Sequence, residues 1–358
     1  MRAGGHTDRH GQARTGRSIL RGPSSALVRV GPLMSIPAVL QDLGHDSEAV
    51  LASAGFKPAQ FMDPDTELPY VAVSRLLARC VADTGCRHFG LLVGEHAGPS
   101  TLGIAGFMLR SAPDVGTALR SLVLHLDLHD QGGVPTLQIS GGSTQLGYAI
   151  HLSGVEAPEQ ICEISIAIAC NIMRGLCGKG WNPAEVLFSC RQPGNLAPYR
   201  RFFRAPIRFN SGSCAIVFPT RWLDHQIPSA DALLHQHLER QAAELHKLRH
   251  TDIVGSVRGL LRKSLSTRQC TANDIARQLH LHERTLNRKL QGEGTSFRKE
   301  LDAMRYEMAR QYLAETAMPI ARIAASLNYA DASAFNRAFK RWTGTTPARW
   351  RLHNGVSA

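Results

Sequence analysis

The first two thirds of the chain switch between two hydrophobic periods, one near 3.6 residues and one of 2 residues. Apolar residues at helical spacing predict four helices, over residues 37–54, 71–84, 114–128 and 159–176. Alternation on both sides of Gly141 and Gly142 predicts a β-hairpin over residues 136–140 and 145–152. Short apolar runs predict two more strands, over 186–190 and 215–218. Helices mixed with a small sheet indicate an α+β fold.

Residues 229–248 predict one amphipathic helix, because its apolar residues fall on a single stripe. The stripe consists of Leu234, Leu238, Ala242, Leu245 and Leu248. It can pack on the N-terminal region or pair two subunits, and the pattern leaves both open. The run is too short to establish a coiled coil. We therefore interpret residues 226–250 as a helical linker, with a domain boundary near His250.

The last hundred residues contain an internal repeat of apolar positions. The first half of each copy reads Ile-Ala-x-x-Leu, at 275–279 and again at 323–327. The second half has Asn-Arg between two apolar residues, at 286–290 and again at 335–339. The second turn is one residue longer, which explains why the offset grows from 48 to 49 residues.

Each copy has the pattern of a helix-turn-helix motif. The small residues Ala276 and Ala324 let a second helix cross closely. That second helix has apolar residues four apart, such as Leu286 and Leu290, which leaves its opposite face open. In the second copy, Asp331 and Ser333 are suited to cap the helix. One such copy also fits a solvated amphipathic helix pair, but two aligned copies favour DNA recognition.

The open faces carry residue types that bind DNA. Arginine donates two hydrogen bonds to guanine, asparagine pairs with adenine, and lysine suits phosphates. We predict DNA contacts from His282, Arg284, Asn287, Arg288 and Lys289 in the first copy, and from Ser333, Asn336, Arg337, Lys340 and Arg341 in the second. Lys289, Lys340 and Arg341 are the predicted phosphate contacts.

A long helix is predicted between the copies, over residues 297–314. Its core face consists of Leu301, Met304, Met308 and Tyr312. A rigid connector would hold both recognition helices at a fixed separation. We expect them to enter successive major grooves on one face of DNA, about 34 Å apart.

Charge is concentrated where the repeat lies. The chain carries a formal charge of +12. Residues 251–351 contain 18 Lys and Arg against 9 Asp and Glu, whereas residues 34–250 contain 17 against 19. The C-terminal third is therefore the expected polyanion-binding part. We assign residues 251–352 to an all-α DNA-binding domain with two helix-turn-helix motifs.

The remaining composition argues for a cytosolic protein. Residues 1–33 are rich in Gly, Arg and Ser and predict a disordered basic tail, with Met34 as an alternative start. The eight cysteines form no Cys-x-x-Cys pair, which predicts reduced thiols and no zinc motif. Nothing approaches a membrane span of about 20 apolar residues. We expect no cofactor and no membrane partner.

The second copy of the repeat carries a recognisable signature. Its segments Ile320-Ala321-Arg322-Ile323-Ala324, Leu327-Asn328-Tyr329, and 335–344 with Pro347 closely resemble the C-terminal signature of AraC/XylS-type regulators. Asn328 departs from the family, which usually has Gly in this turn, but Asn tolerates the left-handed conformation. The resemblance implies a bacterial, nucleoid-associated transcription regulator, more often an activator, with RNA polymerase as a partner.

The N-terminal part resembles the arabinose-binding-type domain found in relatives such as regulators of ornithine use. The resemblance lies in residues 89–94, 102–107 and 198–203. It implies an effector-sensing or dimerising domain over residues 34–225 and a homodimer, without naming a ligand.

Polar residues in apolar segments suggest effector contacts. Glu163 and Asn171 lie within the apolar helix and are suited to line a pocket, while Arg200 belongs to a basic cluster suited to an anion. Solvent exposure is the alternative for all three. His125 and His129 are four residues apart, but no third metal ligand is evident.

Three functions compete. The leading hypothesis is a transcription regulator controlled by a small-molecule effector. A ligand-independent dimeric regulator, in which the N-terminal domain only assembles subunits, is the alternative. An enzyme is disfavoured, because the sequence lacks a nucleophile elbow, a P-loop and a His-Glu-x-x-His motif.

Overall fold

The computed structural model describes residues 26–150, 152, 154–249, 253–267, 271–279, 281–315 and 318–354. The predicted tail up to residue 25, the boundary at His250, and His280 in the first turn lie outside the described residues. Sixteen α-helices and seven strands are described. The chain is an α+β N-terminal region followed by a helical C-terminal region.

The N-terminal region contains nine helices and all seven described strands. Its helices are α1 (Ile36–Asp42), α2 (Ser47–Ser53), α3 (Tyr70–Thr84), α4 (Phe89–Glu95), α5 (Ile104–Ser111), α6 (Val115–His125), α7 (Pro158–Cys177), α8 (Ala197–Phe203) and α9 (Ala232–Arg249). Its strands are β1 (Leu27–Arg29), β2 (Glu67–Pro69), β3 (Gly133–Ser140), β4 (Ser143–Ile150), β5 (Glu185–Leu187), β6 (Ile207–Arg208) and β7 (Cys214–Pro219).

The prediction of a disordered tail through residue 33 is wrong for residues 26–33. Strand β1 pairs antiparallel with β2, and its backbone also bonds to the segment after α6, through Arg29 N and His129 O at 2.9 Å. Val28, Val30 and Leu33 are buried in the main core. The segment was missed because three residues are too few to show a period, and its partner strand lies far along the chain.

The single helix predicted over residues 37–54 is two helices. Gly44 adopts φ +82° after α1, and Asp46 then caps α2 by accepting hydrogen bonds from the Glu48 and Ala49 amides. The apolar period continues across this break because both helices face the same core. The predicted helices at 71–84 and 159–176 are confirmed, and the one at 114–128 ends its α-helical part at His125.

The predicted hairpin is confirmed and belongs to a five-stranded sheet of order β3-β4-β7-β5-β6. Helix α7 packs against this sheet and against α4. The close approach of α4 requires glycine, since a Cβ at Gly90 would lie 2.2 Å from the Gln160 carbonyl oxygen. Within the described residues α7 alone has the length and hydropathy of a membrane span, and 72% of that apolar window is buried in the fold.

Helix α9 packs on the N-terminal region instead of extending as a free linker. Leu238 and Ala242 are buried beside Met108 of α5 and Leu128, with Leu245 packed against them. Leu234, at the start of the predicted stripe, is 45% exposed. The side chain of Leu248 lies outside the described residues. Of the two uses left open for the stripe, the structure shows packing within the chain.

The C-terminal region is built of seven described helices. They are α10 (Ile253–Thr267), α11 (Ala272–Gln278), α12 (Glu283–Gly292), α13 (Phe297–Glu315), α14 (Ile320–Ser326), α15 (Ala332–Thr343) and α16 (Pro347–Asn354). One hydrophobic core joins α10, α11 and α12 to the first half of α13, and another joins α14 and α15 to its second half.

A chain that starts at Met34 is expected to be less stable than one that starts at Ala26. It loses the β1–β2 pairing and three buried side chains, each of which contributes about 1.5–3 kcal/mol. The free energy of unfolding should fall on the order of 5 kcal/mol. Urea denaturation of the two chains measures this difference, and equal stabilities would contradict the burial of residues 26–33.

Candidate nucleic-acid interface and effector cavity

The first helix-turn-helix motif consists of α11 and α12. Ile275 and Ala276 of α11 are fully buried against Leu286 and Leu290 of α12. Burial of these two leucines, one turn apart, fixes which face of α12 points to solvent. His282 precedes α12 at its N-cap position.

The second motif, formed by α14 and α15, repeats this packing with larger side chains. Phe335 and Phe339 of α15 are fully buried, and Ala324 of α14 is 1% exposed. The Asp331 carboxylate accepts a hydrogen bond from the Ala334 amide at 2.7 Å, which confirms Asp331 as the cap of α15. Ser333 forms no cap and stays exposed.

The predicted DNA-contacting residues lie on the outer faces of α12 and α15. Asn287 is half-buried, and the others are exposed, namely His282, Arg284, Arg288, Lys289, Ser333, Asn336, Arg337, Lys340 and Arg341. Among the residues that the structure describes, five cations on these faces form no ion pair, namely Arg284, Arg288, Lys289, Arg337 and Lys340. Arg341 differs, because its guanidinium bonds to Asp302 of α13 at 2.9 Å.

Polar contacts anchor α13 to both motifs. Glu300 is 4% exposed, and it accepts hydrogen bonds of 2.5 Å from Arg258 of α10 and from Thr295 before α13. Arg305 donates to the Asn328 carbonyl at 3.1 Å and lies 4.6 Å from the centre of the Tyr329 ring. These contacts tie the turn of the second motif to the helix that carries the first.

A cavity of about 90 Å³ lies in the N-terminal region, between α3, α6, α7 and the β3–β4 hairpin. Its wall is mostly aliphatic, with Tyr70, His129, Asp130, Tyr148 and Ser165 as its polar members. Val28 and Leu33, from the segment predicted to be a tail, also line it. A mostly apolar cavity with a few convergent polar groups is typical of a small-molecule site.

The three predicted effector contacts do not line this cavity. Glu163 accepts hydrogen bonds from the Tyr199 hydroxyl at 2.5 Å and the Leu91 amide at 3.2 Å. Burial raises the pKa of Glu163 to about 8, although these two bonds oppose the rise. The Asn171 amide donates to three carbonyl oxygens between α4 and the following turn, at Gly94, Glu95 and Ala97.

Arg200 is exposed on α8. Glu163 and Asn171 thus serve the packing of α7 against α4, and the polar corner of the cavity was missed. The available signal was weak, because Tyr70, Asp130 and Tyr148 come from three separate segments. Only Asp130 with the glycines at 132 and 133 has a local pattern, that of a turn.

His125 belongs to a polar contact between α6 and α9. Its Nε2 lies 3.0 Å from the Glu239 carboxylate and its Nδ1 lies 3.1 Å from His246 Nε2. The described part of the chain holds no group of three His, Cys, Asp or Glu side chains suited to a metal ion.

Both regions match described families. Residues 44–227 match the N-terminal arabinose-binding domain of AraC transcription regulators, and residues 275–353 match a helix-turn-helix domain. The first match covers half of the chain. The chain belongs to the AraC family of transcription regulators. It is therefore a DNA-binding regulator of the helix-turn-helix type.

Two relatives of this AraC-family chain match it over nearly their whole length. The regulator VirS of Mycobacterium tuberculosis is 29% identical, covering 93% of this chain and 98% of VirS. The ornithine utilization regulator of Pseudomonas aeruginosa is 25% identical, covering 92% and 97%. The crystal structure of the regulator CdpR from Pseudomonas aeruginosa, 25% identical, covers 87% and 97% with a TM-score of 0.43.

The one departure from the AraC signature lies in the turn of the second motif. Asn328 adopts φ +57°, the left-handed conformation that glycine takes without cost. Its side chain type is among the few that tolerate this conformation, as predicted from the sequence.

Two substitutions of Asn328 should therefore show whether stability at this position depends on the backbone conformation or on the asparagine side chain. Asn328→Val is expected to lower the free energy of unfolding of the C-terminal region by about 1–2 kcal/mol, because a branched side chain is strained at positive φ. Asn328→Gly is the control and should change it by less than about 1 kcal/mol. Urea unfolding followed by tryptophan fluorescence measures both, and equal losses in the two variants would contradict this role.

Proposed function

We propose that this regulator binds promoter DNA with α12 and α15 in successive major grooves, about 34 Å apart. The observation that carries the proposal is the presence of ion-pair-free cations on both recognition helices, among the described residues, with one helix joining their cores. A charged face without a carboxylate partner is suited to phosphates and base edges.

The exposed residues divide into two roles under this proposal. Arg284, Arg288 and Arg337 read guanine, and Asn287 and Asn336 pair with adenine. His282 and Ser333, at the start of their helices, add contacts to base edges or phosphates. Lys289, Lys340 and Arg341 contact phosphates, with Arg341 shared between DNA and Asp302.

We propose further that an effector in the N-terminal cavity controls DNA binding. Helix α6 and the turn after it support this, because some of their residues line the cavity and others contact α9. Leu122 and Leu126 line the cavity. Ser121 and His125 contact Glu239 of α9, with Ser121 donating at 2.7 Å and His125 Nε2 at 3.0 Å. A ligand that moves α6 therefore acts directly on α9.

Helix α9 is close in sequence to the DNA-binding part. It ends at Arg249, and α10, which packs in the core of the first motif, begins at Ile253. A shift of α9 is expected to bias the placement of α10, and so the spacing of the recognition helices relative to a second subunit.

The proposed partners are promoter DNA, a second copy of the chain and RNA polymerase, and the proposed location is the bacterial cytoplasm. Activation is the proposed sign, as it is commoner in the family. The buried part of the α9 stripe, Leu238 and Ala242, packs within the chain. Phe107 of α5 and Leu233 and Leu234 of α9 are exposed apolar residues on two helices that pack together, which makes this face the proposed dimer surface.

Alanine variants of the recognition helices test the assigned roles. Arg288→Ala and Arg337→Ala should each weaken binding at the specific site by about 1–3 kcal/mol and relax base choice. Lys340→Ala should weaken binding to all sequences and flatten the salt dependence. Titrations of operator and random DNA at several salt concentrations measure both effects. If the arginine variants weakened random DNA as much as operator DNA, the base-reading assignment would fail.

A further inference from the structure

The polar groups of the N-terminal cavity are gathered at one corner. Tyr148 of β4 donates its hydroxyl proton to the Asp130 carboxylate, and the Tyr70 hydroxyl of α3 lies 3.0 Å from that of Tyr148. Asp130 also accepts from the amides of Gly132 at 2.8 Å and Gly133 at 3.3 Å. Asp130 is 8% exposed and Tyr70 is 3% exposed, so the corner is shielded from bulk solvent.

The direction of these hydrogen bonds determines what the corner offers to a ligand. The single proton of Tyr148 goes to Asp130, so Tyr70 must donate to Tyr148. A carboxylate has about four acceptor positions and a phenol oxygen has about two. After these bonds, Asp130 and Tyr148 each keep acceptor capacity, whereas the hydroxyl protons of Tyr148 and Tyr70 are already used.

Two further polar residues lie in the wall, Ser165 and the buried His129, whose neutral imidazole has one donor and one acceptor nitrogen. The Ser165 hydroxyl donates to the Ile161 carbonyl within α7 at 2.8 Å, so its proton is also engaged. The rest of the wall near the corner is aliphatic, with Leu126, Leu146, Ile164 and Ile168. A ligand therefore meets a mostly apolar chamber whose polar groups are the acceptors of the Asp130–Tyr148 corner and the His129 imidazole.

We propose that this cavity binds a small, uncharged, mostly apolar molecule that carries one hydroxyl group, which donates its proton to the Asp130–Tyr148 corner. The cavity measures about 90 Å³. A cavity of this volume admits a small molecule. This inference rests on the proposed control by an effector, and it adds the chemical class.

A carboxylate ligand of the same size is disfavoured at this corner. Burial raises the pKa of Asp130 to about 6, with the bonds from Tyr148, Gly132 and Gly133 opposing the rise. The three hydrogen bonds that the Asp130 carboxylate accepts favour its ionised form, and a second buried carboxylate beside it is repelled. An ether of the same shape lacks the proton that the corner accepts.

Three matched probes test the proposal on the full chain. They are 1-heptanol, its methyl ether and heptanoate, titrated calorimetrically at pH 7.5. We expect heptanol to bind about tenfold more tightly than either of the others, the effect of one buried hydrogen bond. Equal binding of alcohol and ether, tighter binding of heptanoate, or binding of no probe would each overturn the proposed class.

Asp130→Asn gives a readout that a structural role alone would not produce. The amide can still accept from Gly132 and Gly133 while its NH₂ donates to Tyr148, which turns the Tyr148 proton toward the cavity. The preference for alcohol over ether should then fall about tenfold, to parity or reversal. An unchanged preference in a folded Asp130→Asn protein would contradict the role of the corner.

Ala169→Leu is a second test, which leaves the polar corner unchanged in case the Asp130→Asn protein does not fold. Ala169 lines the cavity on α7, distant in sequence from the three polar residues, and a leucine there occupies the ligand volume. Heptanol binding should be lost while the circular dichroism spectrum is retained. Undiminished heptanol binding in this variant would place the ligand elsewhere and overturn the proposal.

Parallel titrations of DNA separate this inference from the proposed function. Heptanol binding with the expected selectivity but without effect on DNA affinity supports the ligand class and contradicts effector control. If no probe binds the unsubstituted protein but Ala169→Leu still changes DNA affinity, the ligand class is overturned and effector control is left standing.

Discussion

Helix α13 contributes side chains to both hydrophobic cores of the DNA-binding region, and the geometry of the interface depends on this sharing. Its first half packs with α10, α11 and α12, and its second half packs with α14 and α15. Glu300 adds a polar contact to α10 in the first core, and Arg305 adds one to the turn of the second motif. Neither motif can rotate without disturbing α13. The two recognition helices are therefore held in a fixed relation to each other, and the cations of both are exposed to solvent.

In the N-terminal region, too, one helix contacts two functional parts. Helix α6 lies between the cavity and the contact with α9, which is the basis of the proposed control of DNA binding by an effector. Leu122 of α6 and Leu126 just after it line the cavity, and Ser121 and His125 on the neighbouring face contact α9. The buried stripe of α9 makes this coupling possible, since a free linker would not respond to α6.

Local patterns made the DNA-binding region predictable from sequence. Amphipathic spacing fixed the buried faces, Asp331 marked a helix start, and Asn328 marked a left-handed turn. The cavity was not predictable in the same way, because Tyr70 and Tyr148 are 78 residues apart and meet only in the fold. Glu163 and Asn171 misled for the same reason, as their partners at Leu91 and Gly94 lie on another helix. Strand β1 was too short to show a period.

Methylation protection of guanine N7 on a promoter site tests most directly whether both recognition helices bind one site. Each bound molecule is expected to protect two patches on the same DNA face, about one helical turn apart. Arg288→Ala should expose guanines in one patch, and Arg337→Ala in the other. A single protected patch per molecule, or the loss of the same patch in both variants, would contradict two coupled recognition helices.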